Sequence, residues 1–343
     1  MTTYSVPELE PYMVLAQEVM RRVYAEESPD ELNAWLLTQV QRLSGAGNEA
    51  ARLLWEDSFA LYEEIMAKRA ADAALPEAER KILTWPWSSW NHLIDPLDAG
   101  MLAVLAAGDG SGKTLYCESI AEYWARKRMN VVFVHFELNR ALMLDRRMVR
   151  HAGIPRRALK DGVLSDHENS LIQAANEHLR SWPGSITYLH TPGWTMERVV
   201  GEVGALVMEE LCDVFVIDYL EKATASQRQH KTHGSNVFAR EADDVELVKT
   251  FAERANVPAL LLAQLNKGGK RGGFDELDRT SIRGAGEKTE KANVVILLHR
   301  EDNESSVVHV RVDKNTMGAC GSFTQYMEPA RFMVADMAEE GQL

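Results

Sequence analysis

Cysteine is scarce in this 343-residue chain: Cys117, Cys212 and Cys320 lie far apart, with no Cys-x-x-Cys pair. The odd count argues against a disulfide framework, the spacing of a cysteine metal site is absent, and a reducing, cytoplasmic setting is expected. No run approaches the ~18 uninterrupted apolar residues that a membrane-spanning helix needs. The first residues, Met1-Thr2-Thr3-Tyr4-Ser5-Val6-Pro7-Glu8, have neither a basic start nor an apolar core, unlike a secretory signal. Positive charge is also in short supply. Lys and Arg number 38 against 51 Asp and Glu, a net charge of −13 at pH 7. Such a chain does not coat duplex DNA with one broad basic face, so nucleic-acid contact must be confined to local basic loops. The ten histidines show no pairing at ligand spacing. What remains, 45% hydrophobic and 26% charged, is the composition of a folded globular protein.

Two textures divide the chain. Residues 7 to about 80 read as helices, with Leu15, Val19, Val23, Leu32, Trp35, Leu36, Val40 and Leu43 at helical spacing. Ser28 followed by Pro29 fits an N-cap with proline at the first helical position, and a third helix is expected from about Asn48 to Ala74. From Met101 onward, short apolar runs alternate with helical stretches: Leu102–Ala106, Val131–Phe136, Ile186–Leu189, Val214–Ile217, Pro258–Ala263, Val294–Leu298 and Val307–Val312. That alternation predicts an α/β fold around a mainly parallel sheet. The expected division is a small all-helical region over 1–80 and an α/β domain over 81–343.

The most specific local signal is an apolar strand, Leu102 to Ala106, that runs into Gly108-Asp109-Gly110-Ser111-Gly112-Lys113-Thr114-Leu115 and then a helix. Glycines let successive backbone N–H groups turn inward onto phosphates, and the helix N-terminus adds its positive dipole end. This is a P-loop. Lys113 is expected to reach the β- and γ-phosphates of ATP, and the Thr114 hydroxyl to hold Mg²⁺. One departure is Ala107, which stands where the motif has its first glycine.

Three strand ends add chemistry. Val214-Phe215-Val216-Ile217 ends in Asp218, placed to accept a Mg²⁺-bound water as a Walker B acid does. Val132-Phe133-Val134-His135-Phe136 leads to Glu137, a candidate general base, with a solvated strand end as the alternative. Leu260-Leu261-Leu262-Ala263 ends in Gln264, which either senses the γ-phosphate or satisfies backbone groups. Trp85, Trp87 and Trp90 are either an adenine platform or, the better reading, core packing. No metal beyond Mg²⁺ is assigned.

From about Trp90 to Val334 the order of motifs resembles the C-terminal motor domain of DnaB-type replicative helicases. The GKT loop comes first, then Phe136-Glu137-Leu138, Thr191-Pro192-Gly193 with Thr195, and Val216-Ile217-Asp218-Tyr219-Leu220. Asn256 to Asn266, the segment Ile282 to Gly286, and Ala292 to Arg300 follow. The resemblance implies a RecA-like core, assembly into a homo-oligomeric, hexameric ring, and ATP sites formed between neighbouring subunits. It also implies that two loops line a channel for single-stranded DNA. The first is free of acid between Glu221 and Glu241 and carries Lys222, Arg228 and Lys231; the second carries Lys267, Lys270 and Arg271. Arg283 is a further cationic candidate.

Two departures bear on activity. Lys314-Asn315-Thr316-Met317-Gly318 stands where these helicases carry a Lys-x-Arg pair. Lys314 is kept as a catalytic candidate for the neighbour's site, but the finger arginine is Thr316, which implies slow hydrolysis, Lys314 alone completing the site, or a compensating arginine such as Arg311. The stretch before the α/β part, about 80 residues, is short for the family's helical N-terminal domain plus linker. Its third helix is expected to pack on the adjacent subunit. Function therefore divides into an ATP-driven, ring-forming helicase or translocase on single-stranded DNA, and a DNA-binding regulatory ATPase of a mobile-element or defence assembly that does not unwind. A clock-type or signalling ATPase is a third class, against which the basic loops stand.

Overall fold

Six of the expected apolar runs form parallel strands: β1 (Leu102–Ala107), β2 (Asn130–His135), β3 (Ser185–His190), β4 (Val214–Asp218), β5 (Ala259–Gln264) and β6 (Val294–His299). The computed structural model describes residues 6–25, 27–43, 55–76, 80–137, 140–266, 273–302 and 304–337. The strand order is β3-β2-β4-β5-β1-β6, continued by the antiparallel strands β7 (Val307–Asn315), β8 (Gly321–Glu328) and β9 (Met333–Asp336). All but the edge strand β3 are almost wholly buried within the parallel part, so their sequences are continuous apolar runs without alternation. The α/β class with a mainly parallel sheet is as expected.

Helices cover both faces. On one, α5 (Lys113–Arg126) lays Tyr116, Cys117, Ile120, Ala121 and Trp124 on the sheet. On the other, α9 (Met196–Met208) and α11 (Val237–Ala255) contribute Met196, Val199, Val203, Val245, Val248 and Ala252. Between them in the chain lie α6 (Arg140–Ala152), α7 (Arg156–Asp161), α8 (Asp166–Arg180) and α10 (Gln227–His233), with α12 (Ala285–Lys291) before β6. Trp85, Trp87 and Trp90, the last on the short α4 (Ser88–Asn91), are core residues packed against Tyr116 and Trp124. Their indole N–H groups donate to Asp95 O, Val334 O and Gln325 Oε1, which is how a buried tryptophan satisfies its polar end.

The N-terminal region is helical: α1 (Val6–Tyr24), α2 (Pro29–Leu43) and α3 (Trp55–Ala74). Ser28 caps α2 in a reciprocal arrangement, accepting from Glu31 N at 3.3 Å while its own hydroxyl donates to Glu31 Oε2 at 3.0 Å. α2 lies on α9, and glycine makes the approach possible. A Cβ at Gly204 would stand 3.3 Å from Phe251 and 3.4 Å from Leu37 of α2. α3 leaves Tyr62, Ile65 and Met66 exposed. The expected start of this helix, residues 48–54, lies outside the described residues. No described helix is long and apolar enough to cross a membrane.

Candidate active site

Strand register gathers the site. Ala107 at the end of β1 stands opposite Gln264 on β5 and Leu298 on β6, and His135 on β2 stands opposite Asp218 on β4. The residues that follow these positions therefore emerge along one edge of the sheet, where parallel α/β folds place ligands. From Ala107 the chain turns through Gly110 (φ 74°) and Gly112 (φ 90°) into the first residue of α5, Lys113. Both angles are in the left-handed region that glycine adopts without strain. A Cβ at Gly112 would also meet Met327 Sδ at 2.8 Å.

The turn encloses Lys113. Its side chain is buried, and Nζ donates to the carbonyls of Ala107 (2.9 Å) and Gly108 (2.8 Å). The ammonium thus stands at the mouth of an arc of N–H groups at a helix N-terminus, which is the arrangement that binds polyphosphate. Beside it, burial pushes the Asp218 carboxyl up to about 6, while a hydrogen bond from the Thr114 hydroxyl pulls the other way. A buried carboxylate touching a hydroxyl, with phosphate oxygens expected alongside, is a hard-oxygen donor set that suits Mg²⁺. A divalent cation would offset the desolvation that raises Asp218. Among the described residues there is no cluster of three or more His, Cys, Asp or Glu arranged for any other metal.

A cavity of about 460 Å³ extends from this loop and is lined by Glu137, Asp218, Tyr219, Gln264, Arg146, Arg300, Met327, Pro329 and Phe332 as well as Gly108 to Leu115 except Ser111. Glu137 is exposed at its rim. Tyr219 Oη donates to Glu137 Oε1 at 3.0 Å, and Lys222 forms an ion pair with the same oxygen. Gln264 Nε2 donates to Asp109 Oδ1 at 2.9 Å, tying the β5 end to the loop, while its backbone N–H donates to Glu221 Oε1 at 3.1 Å. Glu221 in turn takes a 2.7 Å bond from buried Lys288, which also reaches Glu241 at 3.1 Å.

Several of these residues carry no sequence motif. Arg146 and Arg150 are one helical turn apart on α6, hence on one face. Arg150 is anchored to Glu118 (2.8 Å) and Glu122 (3.1 Å) of α5, and Arg146 reaches the cavity, 5.5 Å from the Phe332 ring. Phe332 holds φ 51°, rare for a bulky side chain, so the strands around it dictate its position. Arg300, the end of the run Ala292 to Arg300, donates to Gly110 O at 3.0 Å and braces the loop.

Lys314 is elsewhere. It pairs with Val295 at the start of β6, and Val295 in turn lies beside Val104, whereas the phosphate loop leaves the far end of β1. Its ammonium caps the last carbonyls of α12, those of Thr289 (2.9 Å) and Glu290 (2.8 Å). The chain's own cavity does not contain it. Arg311 is occupied as well, donating to Leu277 O and lying 4.6 Å from the Phe274 ring.

The cationic candidates divide. Lys222 is at Glu137. Arg228, on α10, lies 3.6 Å from Asp243 and 3.8 Å from Glu197, and its backbone N–H donates to Glu31 of α2 at 2.9 Å. Arg283 lies 3.4 Å from Glu241. Lys231 is exposed on α10. Lys267, Lys270 and Arg271 lie outside the described residues.

Known proteins resemble this chain in sequence and in fold. The chain is 25% identical over 214 residues to the replicative DNA helicase DnaB of Leifsonia xyli subsp. xyli, covering 62% of this chain and 45% of that one. It is 24% identical over 235 residues to a probable plasmid replicative DNA helicase of Chlamydia trachomatis, covering 68% and 50%. The chain thus spans about half the length of the curated relatives it matches. One solved ATPase domain superposes with a TM-score of 0.68 at 15% identity, over 82% of this chain and 99% of that one. A DnaB-like replicative helicase, solved with attention to its interactions with primase, superposes with a TM-score of 0.73 at 14% identity, over 96% and 76%. The core is therefore RecA-like in fold, and the second likeness takes in the N-terminal helices. The model of the DnaB-like helicase C terminal domain matches residues 86–332, and the chain belongs to that family.

Proposed function

We propose that the chain is an ATP-hydrolysing subunit of a homo-oligomeric, DnaB-like hexameric ring that moves on single-stranded DNA in the cytoplasm. The observation that carries this reading is the division of the catalytic set. Lys113, Thr114, Asp218, Glu137 and Gln264 share one edge of the sheet, while Lys314 is at the other end. A residue so placed serves a neighbouring copy's site or none.

In this reading the N–H groups of Gly108 to Leu115 receive the phosphates, and Lys113 turns from the carbonyls of Ala107 and Gly108 to the β- and γ-oxygens. Thr114 and Asp218 would hold Mg²⁺, which when bound neutralises phosphate charge. Glu137 takes a proton from the attacking water as its oxygen bonds to the γ-phosphorus, and the bond from that phosphorus to the bridging oxygen breaks to leave ADP and phosphate. Gln264 senses the γ-phosphate and, through Asp109 and Glu221, is connected to both the loop and the segment after β4. Lys222, Arg228, Lys231, Lys267, Lys270, Arg271 and Arg283 supply phosphate contacts to DNA, with Arg228 and Arg283 exchanging their carboxylate partners for it. Residues 1–80 act as the oligomer-forming helical region and 81–343 as the ATPase. Replication or mobile-element proteins are the expected partners.

A second reading, a regulatory ATPase of a mobile-element or defence assembly that binds DNA without unwinding it, is favoured by Thr316 in place of arginine. A strand-displacement assay with a forked duplex separates the two. Unwinding that requires both ATP and Lys113 supports the motor. DNA-stimulated hydrolysis without displacement supports the switch.

A further inference from the structure

By sequence Lys222 belongs to a cationic loop, yet the fold brings its ammonium to the rim of the nucleotide cavity. After Asp218 the chain passes Tyr219 and closes one 3-10 turn, Leu220–Lys222, with Lys222 N donating to Tyr219 O at 3.2 Å. Leu220 is buried in the core and anchors the turn. Tyr219 and Lys222 then converge on a single atom: Tyr219 Oη donates to Glu137 Oε1 at 3.0 Å, and Lys222 Nζ pairs with the same oxygen. The ammonium also lies 5.6 Å from the centre of the Tyr219 ring. A short way further on, Ser226 caps α10, the helix that carries Arg228 and Lys231.

The chemistry of that contact decides its meaning. With the phenol and the ammonium both on Oε1, that oxygen is already engaged and is not open to a water molecule. Both partners of the ion pair are nonetheless exposed, Lys222 by 42% and Glu137 by 47%, so the pair is weak and exchanges readily with another anion. A phosphate reaching the α10 segment is such an anion.

We propose that Lys222 is a positioning residue that clamps Glu137 when no nucleic acid is present, and that a DNA phosphate which draws the ammonium away frees Glu137 to accept the proton of water. This rests on Glu137 as the general base and on the α10 segment as a DNA contact. It makes hydrolysis dependent on DNA through one side chain, without a rearrangement of the sheet. Tyr219 keeps the carboxylate in place during the exchange.

The test is steady-state ATP turnover by the full chain, with and without an oligo-dT strand, for the wild type, Lys222→Met and Lys222→Arg. Thermal melting and fluorescent-nucleotide binding serve as controls for folding. The clamp predicts that DNA stimulates the wild type several-fold. Lys222→Met raises the DNA-free kcat to near the stimulated value with KM for ATP unchanged, and Lys222→Arg keeps the stimulation. A folded Lys222→Met whose DNA-free turnover is unchanged or lower overturns the clamp, as does a wild type indifferent to DNA. Normal hydrolysis by Glu137→Gln overturns instead the reading beneath it.

Discussion

Lys314 stands opposite Val295 on the β6–β7 ladder, at the end of the sheet remote from Lys113. Two lysines assigned to one reaction therefore cannot serve it within one chain. This separation is the structural reason to treat the ATP site as composite.

Arg279 is expected to stand in for the missing finger arginine. Opposite Val295 and Ile296, β7 carries an extra residue, Asp313, in a bulge next to Lys314. Asp313 holds Arg279, accepting from its backbone N at 3.2 Å and lying 3.3 Å from its Nε. Burial first, and then the nearby Arg279 charge, keep the Lys314 ammonium below its ordinary pKa. A guanidinium thus stands beside Lys314, where Thr316 offers none. We expect Arg279→Ala to slow turnover by about 10-fold or more while ATP binding is retained, since finger arginines contribute orders of magnitude. Adding Thr316→Arg to that variant should restore the rate. Single-turnover hydrolysis by the two variants checks both expectations.

Within the nucleotide cavity, the Phe332 ring and the Arg146 guanidinium, 5.5 Å apart, form a wall suited to a nucleobase. Stacking reads little of a base's hydrogen-bonding edge, so ATP and GTP should bind with similar affinity. Phe332→Ala is expected to weaken ATP by roughly 1 kcal/mol, the scale of an aromatic contact. Binding of tripolyphosphate should be unaffected. Calorimetric titration of both ligands makes the comparison, and equal losses for the two would place the base elsewhere.

Stability should depend on pH through Asp244. Burial pushes this carboxyl up to about 7, with Glu197, Asp243 and Glu241 adding to the rise, although Gln229 donates to it at 2.7 Å. Its folded pKa exceeds its unfolded value, so the native state binds the extra proton. That contribution is full below about pH 4 and is lost as pH rises towards 7. Asp244→Asn keeps the acceptor for Gln229 and removes the penalty. It should be more stable than the wild type at pH 8 by about 1 kcal/mol, with the gain shrinking at pH 5. Melting temperatures at the two pH values measure this.

Much of the fold was legible because burial on both faces leaves a plain mark. β1, β4, β5 and β6 are continuous apolar runs, and their ends carry Gly108, Asp218, Gln264 and Arg300. β8 and β9 were not legible, since half-exposed strands at the end of a sheet alternate polar with apolar residues and share that texture with loops. Spacing also gives no sign that Phe332 and Arg146 come together in one wall of the cavity. Lys288 sits in an ordinary charged stretch, Glu287-Lys288-Thr289-Glu290-Lys291, yet it is wholly buried between two glutamates. Lys222 shows the limit of charge counting most clearly. Its place in an acid-free loop predicts a contact with DNA, while its contact with Glu137 is a product of tertiary structure.

The most direct measurement mixes two inactive proteins. Lys113→Ala lacks a working phosphate loop but keeps Lys314; Lys314→Ala keeps the loop but lacks the residue that completes its neighbour. If the ATP site is shared between copies, each variant alone should turn over ATP about 100-fold more slowly than the wild type, and an equimolar mixture should recover a substantial part of the activity. A mixture no more active than its components, with both variants folded and assembled, would contradict the composite site.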